Sequence, residues 1–149
     1  MPLEGFTGEL QNAADLVRKL DHDLERMRAD PDNPYPAFDF YVTADSWIDW
    51  RWPDDEDARR VARVQEPMAT ASHLGNGAKH YRLRDKRHRS VDDLSITPGA
   101  FQPNAFQVDA FQVGGVVITR PDGDVDAIDL AQDVLEWIER HHPAAAGVA

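Results

Sequence analysis

The residues best equipped for chemistry fall in one stretch, His73-Leu-Gly-Asn76-Gly-Ala-Lys79-His80-Tyr81. Read as helix, it sets His73, Asn76 and His80 at i, i+3 and i+7, on one face beside Lys79. Imidazole, amide and ammonium groups together suit anion binding or proton transfer. They suit a shared metal ion poorly, because seven residues of helix separate the outer Cα atoms by about 10.5 Å along the axis. The plainer alternative is that Asn76 and His80 hydrogen-bond this helix to a neighbouring loop, since buried polar groups are normally paired. The chain has no cysteine, so disulfides, thiolate zinc sites and a Cys nucleophile are all excluded. No metal and no cofactor is expected.

The second candidate is the run that follows. Lys79, Arg82, Arg84, Lys86, Arg87 and Arg89 stand against a single acid, Asp85, a local +5 in a chain whose formal net charge is −11. The rest of the molecule therefore carries −16. Such a field opposes broad binding to phosphate backbones and favours attraction between unlike faces. The expected partner of this strip is an acidic protein surface or a second copy of the chain, ahead of nucleic acid. Aromatic interleaving is limited to Tyr81, which argues against a base-stacking platform. A solvated loop neutralised by the chain's own acids is the alternative.

The third is a repeat, Ala100-Phe101-Gln102, Ala105-Phe106-Gln107 and Ala110-Phe111-Gln112. A five-residue period suits neither helix nor strand, since successive Phe would rotate by about 140° on the one and alternate faces on the other. An extended segment laying Phe101, Phe106 and Phe111 against the domain or a partner is the expectation. Glycine-rich phosphate loops, HExxH, GxSxG and DxDxDG motifs do not occur. Asp21, His22 and Asp23, like His141 and His142, read as exposed helix surface. Trp47, Trp50, Trp52 and Trp137 read as core and core edge.

These groups must be positioned by local elements. Leu10, Ala13, Leu16, Val17, Leu20, Leu24 and Met27 recur at helical spacing and predict a helix over about 9–29. After Pro31 and Pro34, the pattern of Phe40, Ala44, Trp47 and Ile48 predicts a second, largely buried helix over about 36–51. A third starts near Asp54, where Asp55, Glu56 and Asp57 suit the helix dipole, and is split from a fourth (about 67–81) by Pro67. Gly75 and Gly77 in the fourth suggest close backbone packing or a helix end. The segment 82–99 reads as a polar loop. Val113 to Thr119, then Arg120-Pro-Asp-Gly123 and Val125, read as a β-hairpin, and Asp129 as the cap of a closing helix.

Helices first, a small C-terminal β-hairpin, then a helix make an α+β fold: a bundle of four to five helices in a single domain over 1–149. Leu16, Leu20, Leu24, Trp47, Leu74, Val117, Leu135 and Ile138 are the expected core. The amino-terminal stretch shows no secretion signal and no apolar run approaches a membrane span, so a soluble, cytoplasmic protein is expected.

The Asp49-Trp50 helix followed by Asn76-Gly-Ala-Lys79-His80-Tyr81 resembles a loose group of small bacterial and phage-associated proteins. They share a DW helix and an N-x-x-K-H helix, over about residues 12–82, and the resemblance implies no activity. More distantly, helices with Asn and His near their ends resemble the HEPN-type bundles. That resemblance implies a metal-independent ribonuclease acting through an Arg-x4-6-His motif, here Arg82 and His88 with Asn76, Lys79 and His80 nearby. Leu83 departs from that pattern, which usually has a polar residue after the Arg. A non-catalytic interaction or accessory domain is the leading expectation, and the HEPN-like nuclease is the alternative.

Overall fold

The Asp15 backbone N–H donates to the Asn12 side chain, while the Asp15 carboxylate accepts from the backbone N–H groups of Asn12 and Gln11. This reciprocal cap starts the first helix, α1 (Ala13–Ala29). The computed structural model describes residues 3–80, 90–97 and 115–142. Helix α2 (Pro34–Arg51) begins two residues earlier than its apolar period predicts, because Asn33 caps it and Pro34 fits the first turn, where no N–H is needed. Helix α3 (Glu56–Val64) starts at the Asp55 cap, and α4 (Met68–Lys79) follows Pro67. The closing helix, α5 (Ala127–His141), is capped by Asp126, whose carboxylate accepts from the Ile128 and Asp129 N–H groups. Asp129 therefore sits in the first turn and is not the cap.

Three antiparallel strands complete the α+β fold: β1 (Asp93–Thr97), β2 (Gly115–Thr119) and β3 (Val125–Asp126), in the order β1-β2-β3. The expected hairpin is β2–β3, closed by a turn in which Gly123 takes φ 128 and donates its N–H to Arg120 O. That φ lies where only glycine sits without strain. Strand β1 corrects the expectation of a loop through 99. Two apolar residues, Leu94 and Ile96, are too short a period to announce a strand, which exists because it pairs with β2.

The buried side chains form one cluster, in which α2 is central, packed between α1 and α4, with α5 lying against α1 and β2. Seven of the eight expected core residues belong to it; Val117 does not. Its neighbours Val116 and Ile118 face the helices, and with a side-chain period of two Val117 is turned to the other face. Asp23 also corrects its expectation. It is 1% exposed, with its carboxylate between Lys19 Nζ (2.6 Å) and Arg26 Nη1 (3.0 Å), one turn to either side. Lys19 continues to Thr43 Oγ1 and Arg26 to Asp39, so these pairs fasten α1 to α2. Among the described residues no helix is long and apolar enough to cross a membrane.

Candidate functional site

Two places bring chemically interesting groups together: a buried carboxylate between helices, and an apolar groove beside the sheet. The carboxylate is Asp45 of α2, 4% exposed. Its Oδ1 accepts from Arg63 Nε of α3 (3.1 Å) and Ser72 Oγ of α4 (2.8 Å), and its Oδ2 from Lys79 Nζ (3.1 Å). Arg63 also donates to Asp45 O and to Asp49 Oδ1. Burial alone would raise the Asp45 carboxyl, but Arg63, Ser72 and Lys79 together outweigh it and hold the group below its ordinary 3.8. Burial likewise opposes the charge on Arg63, and Asp45 and Asp49 outweigh it, holding the guanidinium more firmly protonated than usual. A carboxylate so placed is ionised at neutral pH and too weak a base to take up a proton there. Its effect is mechanical: one group fastens α3 and α4 to α2.

Lys79, the first residue of the basic strip, thus pairs with a carboxylate of its own chain while its side chain stays 38% exposed. Of the expected face of His73, Asn76 and His80, α4 carries the first two, and His80 lies past its end. Helix α4 ends at Lys79, and His80 is its C-cap, extended at φ −127 and ψ 123, exposed, with its N–H on Asn76 O. His73 ties this helix to a neighbouring segment: its Nδ1 accepts from the Val91 N–H at 3.1 Å, just ahead of β1. Arg82, Arg84, Lys86, Arg87, His88 and Arg89 lie outside the described residues, as do Phe101, Phe106 and Phe111. Among the described residues no group of three or more His, Cys, Asp or Glu is placed to hold a metal ion.

The groove was not foreseen, since one of its walls is β1. It has a volume of about 770 Å³ and runs between the inner face of β1 and the flanks of α2 and α4, with Phe38, Tyr41, His73, Gly77, Leu94 and Ile96 among its walls. Leu94 stands opposite Ile118 and Ile96 opposite Val116, so both share the face that β2 buries in the core. Yet they remain 51% and 50% exposed, and Phe38 across the groove 52%. Among the described wall residues the only carboxylates are Asp92 and Asp93, both exposed, at one rim, and no Lys or Arg accompanies them.

No protein-family model matches this chain, nor does any curated protein or solved structure.

Tyr41 forms the groove's floor, buried, with its hydroxyl donating to Ala127 O at 2.6 Å and so joining α2 to the start of α5. Burial, then the carboxylates of Asp126 and Asp133, push its ionisation well above the ordinary 10.0. A raised acid favours folding while it keeps its proton, so this contribution is present below pH 10 and is lost as pH rises beyond it. Tyr41→Phe should lose about 1 kcal/mol of stability at neutral pH. Above pH 10 the variant's stability should fall less steeply than that of the wild type, measured by denaturant titration across that range.

Proposed function

We propose that this chain is a non-catalytic interaction domain whose contact surface is the groove between β1, α2 and α4, and that it takes an extended apolar segment of another protein carrying a basic residue. The observation that carries this reading is the exposure of Leu94 and Ile96. They lie on the core-facing side of the sheet, half open to solvent and opposite an equally open Phe38. A contiguous apolar surface of this kind, with a charged rim, is what docking sites present. The chemistry of the occupant follows from the walls. Apolar side chains fill an apolar trough, and Asp92 and Asp93, in a chain of net charge −11, attract a cationic flank.

A fluorescein-labelled peptide alternating Val and Thr, with Lys at both ends, tests the reading by fluorescence anisotropy. Saturable binding is expected. The double variant Leu94→Ser with Ile96→Ser should weaken it about tenfold or more, each lost apolar contact being worth 1 kcal/mol or so at half burial. Both side chains are half exposed, so circular dichroism and the melting temperature should change little. Failure of the peptide to saturate, or equal binding by the double variant, overturns the proposal.

A further inference from the structure

The two edges of the sheet are built differently. On one side β3 is two residues long and runs directly into α5, the kind of short, covered edge by which folded proteins avoid unwanted pairing. On the other side β1 is a full five-residue strand, Asp93-Leu-Ser-Ile-Thr, and among the described residues it pairs with β2 alone. The strand itself contains no Pro and no Lys, and neither of its groove-facing residues, Leu94 and Ile96, is charged. Among the described residues its outer edge has no strand partner, and that edge borders the groove that Leu94 and Ile96 line.

From this juxtaposition we infer that the partner segment binds as a fourth strand, hydrogen-bonded along the outer edge of β1, with every second side chain inserted into the groove. The inference rests on the groove reading above and deepens it by naming the mode of recognition and the sequence pattern recognised. Strand addition draws affinity from main-chain hydrogen bonds and specificity from pockets for alternate side chains. Here Leu94 and Ile96, two residues apart on β1, set that spacing, so the partner carries apolar residues at i and i+2. Asp93 begins the strand and Asp92 precedes it, so a Lys or Arg beside that end meets two carboxylates. The alternative occupant, a second copy, would add its own negative field to this one, since each chain carries −11.

Backbone methylation separates strand addition from simple apolar docking, because it removes N–H donors and leaves side chains unchanged. Two versions of the Val/Thr peptide are compared with the parent, one N-methylated at its odd positions and one at its even positions. In an added strand only alternate N–H groups face the neighbouring strand. One version should therefore bind at least about tenfold more weakly, while the other stays within about threefold of the parent. If both bind like the parent, or both weaken alike, strand addition is wrong, while groove docking stands as long as the parent still loses affinity for the Leu94→Ser/Ile96→Ser variant. If the parent does not bind, both ideas fall. Exchanging the terminal Lys for Glu should weaken binding severalfold at low salt and less at high salt; no change at low salt refutes the basic flank. Sedimentation of the wild type as a dimer that the double serine variant dissociates would make a second copy the occupant and overturn the inference.

Discussion

Asp45→Ala should lower the free energy of unfolding by about 3–5 kcal/mol, measured by urea titration at neutral pH. The size comes from what the substitution leaves behind. Arg63, with its side chain only 10% exposed, would keep Asp49 Oδ1 but lose its fully enclosed partner, and Ser72 Oγ would lose its acceptor in the interior. Lys79, 38% exposed, can turn to water, so its share of the loss is small. Asp45→Asn keeps the shape and an acceptor for Ser72, and should cost less. A loss below about 1 kcal/mol for the alanine variant would mean that the three helices are held by packing alone.

The same carboxylate sets a pH dependence. Its folded pKa lies below the ordinary 3.8, so its contribution is fully present above that value and is lost as pH falls through the folded one. Acid unfolding of the wild type should therefore steepen below pH 3.8, and the Asp45→Asn variant should steepen less, keeping the part due to Asp15, whose carboxyl is also held low.

Much of the scaffold was legible because helices announce themselves locally. The apolar period of Leu16, Leu20 and Leu24, and the Pro67 break between α3 and α4, need no knowledge of distant residues. The functional surface was not legible for the opposite reason. Strand β1 is defined by partners in β2, 18 to 26 residues further on. In Val116-Val117-Ile118 all three residues are apolar, so the sequence cannot say which one faces away from the core until the register with β1 and β3 is known.

The two buried aspartates differ in the same way. Asp23 carries a local signal, a base four residues before it and another three residues after, which marks a carboxylate able to go inside already paired. Asp45 carries none: Arg63 and Lys79 lie on other helices. Lys79 read as the start of a basic strip because its partner is far away in sequence. His80 read as part of a helical face because nothing local stops α4 there.

Gly75→Ala should destabilise the fold by about 2–3 kcal/mol, although alanine is the better helix former by nearly 1 kcal/mol. A glycine in the middle of α4 invites that substitution, and the sequence hint of close backbone packing is what the structure bears out. A Cβ at Gly75 would fall inside contact distance of Tyr41 O and only 2.8 Å from Asp45 Cβ. The first obstacle is backbone, so no rotamer change relieves it, and α4 must move away from α2. Any such shift also stretches the 2.8 Å Ser72–Asp45 bond, three residues before Gly75 on the same helix. The steric and polar losses are therefore coupled. Gly75→Ala combined with Asp45→Asn should cost less than the sum of the single variants, because the displaced helix has already strained the bond that the second change weakens. Strict additivity in that double-mutant cycle would show that α4 accommodates the methyl group without moving against Asp45.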